Sequence, residues 1–499
     1  MSSTQTSTKP SDSATRSDWI GLWVLAVALA MIILDGTIVG VALPTIIRDL
    51  DMSLTNAEWV NSLYNVVFAA LLMTFGRLGD QFGRRRLLLA GVVIFGAGSA
   101  LAALSGSTGL LIASRAVQGV GGALILPSTL SSVNAIFRGK DRAAAFGVWG
   151  AVMSGAAAIG PLLGGFLTDK VHWTWIFWIN IPIGVLVIAA AFLFVRETTS
   201  DQEKGTDIPG PVLSAIGFGA LVFGLIEGPN LGWWSPKSPL TIGGWSWPQT
   251  AQVSAVPVAL IVGAAGVVAF VLWEAHRGSL KKPLVLDVTL FRINTFSWGN
   301  LTAGLVAVAE FALVFVLPLH LSRSLQLSAL QAGYVLATMA IGAFIAGAAA
   351  RLLADAIGAA RVVVLGLALE VIGIIATASF IHLDLSAWWI AGSLVPYGFG
   401  LGLASAQLTS TVLRDVPVAQ SGTGSAVQST VRQVGAATGA ALGGTMLAIG
   451  LGDLSMQQAS AEQFAAASAV AVWTSVAVLV VGLIASLRVA WAADQGKDT

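Results

Sequence analysis

Apolar runs about twenty residues long recur along the whole of this sequence, separated by short polar connections, and they leave few folds open to it. A bilayer's hydrocarbon core is roughly 30 Å thick and takes about 20 helical residues to cross. Only helices and closed barrels satisfy their backbone polar groups inside it. The runs here are long and unbroken, unlike the roughly 10-residue alternating segments of a membrane barrel. Charge agrees: 10% of the 499 residues are charged, against about 25% in an average soluble domain. So few charges cannot clothe a water-facing surface of this size. The fold class is therefore all-α and integral to a membrane, with the lipid bilayer as a partner.

The approximate spans are 19–43, 58–76, 86–106, 109–131, 143–167, 174–195, 209–228, 252–273, 294–318, 330–350, 361–381, 387–411, 421–449 and 465–490. Fourteen transmembrane helices put both termini on one side. Twenty of the 26 Lys and Arg then fall on the side of the termini, among them Arg77, Arg84, Arg85, Arg86 and Arg351. The positive-inside rule makes that side cytoplasmic. The expected location is the cell (inner or plasma) membrane. Tryptophans near predicted span ends, such as Trp19, Trp59, Trp173, Trp388 and Trp491, suit interfacial anchoring; Trp149, in mid-span, is a candidate cavity residue. Residues 1–18 are polar, Ser/Thr-rich and expected to be disordered, and 491–499 form a cytoplasmic tail. The apolar stretch after Trp19 is too long for a signal-peptide core and reads as the first span. The Gly-, Pro- and Trp-rich stretch from Pro229 to about Thr250 reads as a small hairpin in the longest outer loop.

An internal repeat divides the chain. Gly76-Arg77-Leu78-Gly79-Asp80-Gln81-Phe82-Gly83-Arg84 returns as Ala350-Arg351-Leu352-Leu353-Ala354-Asp355-Ala356-Ile357-Gly358, with Arg, Leu, Asp and Gly near matching offsets. Each copy follows the second span of a six-span block. The organisation is then a bundle over 19–200, a linker with two extra spans over 201–290, and a second bundle over 291–490. Repeated halves with a site between them are a transporter signature. A net charge of +1 offers nothing to nucleic acid. The four histidines are scattered without metal-ligand spacing, and no cysteine is present. No phosphate-cradling Gly-rich loop of the Walker type occurs, so ATP-driven transport is disfavoured and no cofactor is implied. Nothing in the chain reads as an enzyme.

The motifs resemble those of the major facilitator superfamily, and within it the fourteen-span drug:proton antiporters. Gly76, Asp80, Gly83 and Arg84 match the superfamily's cytoplasmic signature, and Asp355 belongs to its second copy. The resemblance implies that this cluster joins the two halves on the cytoplasmic side and breaks on switching. Leu34-Asp35-Gly36-Thr37 resembles the family's first-span signature, with Gly40 where Asn is common. A carboxylate in a span costs roughly 2.5–3.5 kcal/mol on insertion scales, so Asp35 needs a task. Arg115-Ala116-Val117-Gln118-Gly119 resembles the buried-arginine motif of the fourth span. A guanidinium there must be paired or wet, and Asp35 is a plausible partner, directly or through Gln118. Gly155, Gly160, Pro161, Gly164 and Gly165 resemble the antiporter motif of the fifth span, which marks exporters. Its small residues allow close helix packing.

Three further acids lie within spans. By the repeat, Glu310 corresponds to the first span and is a candidate second coupling site, with Glu370 and Glu227 weaker candidates. Ser425, Gln428, Arg432 and Gln433 share one face of span 13. Some relatives recognise cationic drugs through acids in that region, whereas this chain carries Arg432. The expectation is two six-helix bundles plus two inserted helices, monomeric, working by alternating access. Asp35, Arg115 and Glu310 couple protons; Gln118, Trp149, Gln428 and Arg432 line the cavity; the substrate is a hydrophobic small molecule, cationic drugs among the candidates. A dedicated exporter of one metabolite, antibiotic or lipid is the alternative, and a non-transporting sensor or enzyme is remote.

Overall fold

The computed structural model describes residues 14–137, 139–199, 207–242, 245–280, 282, 284, 286–382, 386–417, 421–452 and 454–495. The first half contains α1 (Arg16–Asp49), α2 (Leu54–Phe82), α3 (Arg84–Ala103), α4 (Thr108–Ile136), α5 (Gly139–Lys170), α6 (Trp175–Trp178) and α7 (Asn180–Phe194). The inserted pair is α8 (Pro209–Leu231) and α9 (Ala255–Ser279). The second half contains α10 (Asn294–Arg323), α11 (Ala329–Ile357), α12 (Ala359–His382), α13 (Ala387–Val412), α14 (Ser421–Leu451) and α15 (Ala461–Gln495). Among the described residues, eleven helices are long and apolar enough to cross a membrane, with α6 and α7 counted as one. The other three long helices are α2, α5 and α13.

Local chemistry sets the boundaries. The first helix begins at Arg16 rather than Trp19. Thr15 and Asp18 form a reciprocal capping box, the Asp18 amide donating to Thr15 Oγ1 and the Thr15 amide to Asp18 Oδ2. Residues 14–18 are thus ordered, contrary to the disorder expected through residue 18; residues 1–13 lie outside the described residues. The sixth span breaks at Ile179 into α6 and α7. Pro182 has no N–H to give the carbonyl of Trp178, so the ladder cannot run through. The loop between α8 and α9 does form a hairpin, β1 (Leu240–Ile242) against β2 (Trp245–Trp247), antiparallel with Leu240 opposite Trp247. It packs with Trp233 and Leu260 against the buried Leu231 and Val256.

Packing repeats as the sequence does. In the first half α1 packs on α5 and α7, α2 on α4, and α3 on α4 and α7; in the second, α10 packs on α14 and α15, α11 on α13, and α12 on α13 and α15. The halves meet through α5 against α11 and α2 against α14, the pairs a pseudo-twofold axis exchanges. A large apolar cluster fills the end where α1 and α10 finish, joining Leu43, Ile46 and Ile47 to Leu313, Leu317 and Leu321. The inserted α8 lies on one seam only, touching both α2 and α14. Many large apolar side chains face outward, including Leu193, Ile261, Leu352 and Trp388, as a lipid-facing surface requires. Trp173 departs from the interfacial role expected of it. It is buried, and its indole N–H donates to Asp49 Oδ2.

Candidate functional site

The strongest constellation of polar groups surrounds Asp35 in the middle of α1. Both Asp35 and Arg115 are 1% exposed. An Arg115 Nη1 hydrogen bond to Asp35 Oδ2 closes the ion pair. The other carboxylate oxygen, Oδ1, accepts from Gln118 Nε2 at 2.9 Å and from Asn180 Nδ2 at 3.1 Å. Ser99 Oγ on α3 accepts from the same two amides, at 2.8 and 3.1 Å. Arg115 also donates to Gln118 Oε1 at 2.7 Å and to the Val60 carbonyl at 3.2 Å, and its guanidinium lies 4.4 Å over the Tyr64 ring. Five helices of the first half therefore converge on one carboxylate.

Helix spacing explains the convergence. Arg115 and Gln118 are three residues apart and share a face of α4. Gly98 and Gly121 let α3 and α4 come close: a Cβ at Gly98 would stand 2.8 Å from Gln118, and one at Gly121 2.5 Å from the Phe95 amide nitrogen. Asn180 is the first residue of α7 and carries its amide to Asp35 Oδ1. Spacing along one span carried no sign of it. Gly40 packs toward Val314 of α10, and Asn180 supplies a polar partner from across the bundle instead. Gln118 is fully buried in this structure, with its amide committed to this network.

The second half holds a sparser arrangement. Glu310 on α10 pairs with Arg432 on α14 at 3.4 Å; the glutamate side chain is mostly buried and the arginine is 47% exposed. This pair joins a half-exposed arginine in mid-helix to a sheltered glutamate on the neighbouring helix. Gln428 is buried one turn before Arg432 on the same helix. Glu370 on α12 and Tyr397 on α13 are both fully buried, and their side-chain oxygens have no hydrogen-bond partner among the described residues. Glu227 on α8 accepts from Trp59 Nε1 at 2.9 Å, a cross-element contact that suits a structural part. The side chain of Trp149 lies outside the described residues.

The motif in α5 works on two surfaces. Added Cβ atoms at Gly160 and Gly164 would run into Thr37 and Ile38 of α1, and one at Gly165 would stand 2.6 Å from the Ala329 carbonyl oxygen of α11. Across that contact, a Cβ at Gly333 would stand 2.5 Å from the Pro161 carbonyl oxygen. Asp169 then accepts from the Ala329 and Leu330 amides, both at 3.1 Å, capping α11 from the other half. Gly155 has open space around it.

The loop after α2 is organised by a residue that spacing did not single out. Gly83 turns the chain at φ +111°, and a Cβ there would strike the Glu197 carboxylate. Glu197 accepts from the Arg85 amide at 3.0 Å and lies within ion-pair distance of Arg85 and Arg86. Arg84 donates to the Ser131 carbonyl at 3.1 Å, and Arg77 to the Leu284 carbonyl at 2.9 Å beyond α9. The Asp80 side chain lies outside the described residues. Gly76 abuts Pro127 of α4, while Asp355, in the second copy, is exposed. Among the described residues no cluster of His, Asp and Glu could hold a metal.

A family model described as the Major Facilitator Superfamily matches residues 25–440 and again 299–494. The multidrug efflux pump LfrA of Mycolicibacterium smegmatis is 32% identical over 86% of this chain and 80% of its own length. A probable actinorhodin transporter of Streptomyces coelicolor is 31% identical over 86% of this chain and 72% of its own. Among solved structures, a bacterial homolog of the human lysosomal transporter Spinster, inward-facing and unoccupied, has a TM-score of 0.61 at 16% identity. It covers 96% of this chain and 99% of its own.

Proposed function

We propose, from the premise that this chain belongs to the major facilitator superfamily, that it is a proton-coupled antiporter exporting hydrophobic small molecules from the cytoplasm or inner leaflet. The observation that carries the reading is the buried Asp35–Arg115 pair. An ionisable pair placed at membrane depth is expensive and normally functional. Protonation of Asp35 would cancel the ion pair and free Arg115, whose other contacts are a backbone carbonyl, an amide and the Tyr64 face. That change would reach α1, α3, α4 and α7 together, and α1 is the helix on which the α5 motif rests.

The multidrug pump among the relatives supports drugs or toxic molecules as cargo. The arginine-rich loops support a cell-membrane orientation with both termini cytoplasmic, a fourteen-span count, and a seal at the outer end. The driving force is then the proton gradient, with no cofactor, no enzymatic step and a monomer as the working unit. A second reading, a dedicated exporter of one compound, has its own support. Arg432 stands, half exposed, where an acid would favour cations, and one relative carries a single-compound name.

The test is substrate efflux from proteoliposomes under an imposed pH gradient. Asp35→Asn should abolish gradient-driven efflux while leaving substrate binding measurable. Unchanged efflux in that variant would sink the coupling assignment. A susceptibility panel in a pump-deficient host separates the two cargo readings: protection against one compound favours the specialist.

A further inference from the structure

The seam between α2 and α14 contains a carboxyl group that the Asp35 network does not use. Glu58 is one turn into α2 and 1% exposed. Its side chain lies flat on Gly444 of α14, where an added Cβ would overlap the Glu58 Cγ, Cδ and Oε1 atoms. Its Oε2 is buried with no hydrogen-bond partner among the described residues. Below it, at successive turns of α2, Ser62 Oγ donates to the Ala437 carbonyl of α14 at 3.3 Å, and Val66 packs on Ala437 and Ala441. The third wall is α8, held to α14 by Thr445 Oγ1 donating to the Leu225 carbonyl at 2.9 Å. Glu58 is therefore buried between the two halves and the inserted helix, in a joint that must part if the halves separate at this end.

The charged groups around it are few. From α8 comes Glu227, occupied by Trp59 Nε1. From α4 comes Arg115, committed to Asp35. The sole charged residue of α14 is Arg432, twelve positions from Gly444 and paired with Glu310. Among the described residues no cation is placed to balance an ionised Glu58, and a second acid, Glu227, lies on α8. An ionised carboxylate sealed here would lack both solvent and counter-ion.

We infer that Glu58 is a second proton-binding site, a latch that must hold a proton for the α2–α14 seam to close. Water at the end where α2 begins supplies the proton when the seam is open. The neutral acid then packs on Gly444, and the same proton returns to the same side when the seam reopens. The latch moves no net proton across the membrane; it makes closure of this end pH-dependent. This deepens the antiport reading and rests on it for the alternating motion alone.

The test measures seam distance directly. The chain has no native cysteine, so spin labels at Thr55→Cys and Gln457→Cys report on the two sides of this end in the full-length protein in nanodiscs. The distance should be short at acid pH and lengthen as pH rises. Glu58→Gln, an isosteric neutral variant, should stay short at every pH, and Gly444→Ala should stay long. A Glu58→Gln seam that follows the wild-type pH profile overturns the latch, as does a wild-type seam without pH response or a Gly444→Ala seam that closes normally. Asp35→Asn should retain the wild-type seam response; its loss there would reassign the response to Asp35. Failure of the antiport reading is scored separately, by gradient-driven efflux of Asp35→Asn.

Discussion

Asp35 of α1 and Arg115 of α4 are a closed pair: each is 1% exposed, and each side chain finds its remaining partners within the same half. Buried pairs of this kind are weak evidence for net stability, but removing one member leaves the other charged and dry. Arg115→Ala should destabilise the protein by about 3–5 kcal/mol. The double variant Asp35→Asn with Arg115→Gln should recover much of that loss. Thermal unfolding in detergent, read by size-exclusion chromatography, compares them. Equal melting of the single and double variants would mean the pair is not held as described.

The glycines of the α5 motif should not be equivalent. Gly165→Val drives a side chain into the Ala329–Leu330 backbone of α11 and should abolish export, because the contact between the halves cannot form. Gly155→Ala meets nothing within 4 Å and should transport at close to the wild-type rate. Initial efflux rates at matched expression decide this. Equal damage from both substitutions would show that the motif acts through something other than close packing.

Gly83→Ala combines two penalties, a left-handed backbone angle and a collision with the Glu197 carboxylate. Backbone strain at such positions costs about 1–3 kcal/mol. Glu197→Ala relieves the collision but leaves the Arg85 amide without its acceptor and removes an acid from beside Arg85 and Arg86. Both variants should lower the melting temperature, and combining them should cost less than the sum. Strict additivity in a double-mutant cycle would count against a shared contact.

Arg432→Ala should behave differently from Arg115→Ala. Its side chain is half exposed, so loss of the Glu310 pair should change stability by no more than about 1 kcal/mol. The effect should appear in selectivity. Efflux of cationic dyes should improve relative to neutral ones, because Glu310 is left without its opposing charge. An unchanged ratio of cationic to neutral efflux would remove Arg432 from the substrate path.

The parts of this protein legible in its sequence are those encoded along single helices. Asp35, Arg115 and Gln118 announce themselves because a charge or amide in an apolar run has few reasons to be there. The parts that were not legible depend on where one helix meets another. Asn180 stands at the end of a Trp-rich stretch that suits an interface, and only the packing of α7 against α1 and α3 brings it to Asp35. Glu197 and Glu58 lie at the edges of spans, where an acid is ordinary, and folding carries the first into a half-buried contact and the second into a buried one. Gln118 was visible, but its burial was not, since spacing cannot tell a cavity wall from a sealed network.

The placement of α8 has a mechanical consequence. It is fastened to α2 through Trp59 and Glu227 and to α14 through Leu225 and Thr445, so it braces the seam at which α2 and α14 already meet. A bundle of two equivalent halves has two interchangeable flanks. This one is bound along one edge like the spine of a book, and any parting of the halves must be wider at α5 and α11 than at α2 and α14, unless one of those two fastenings lets go.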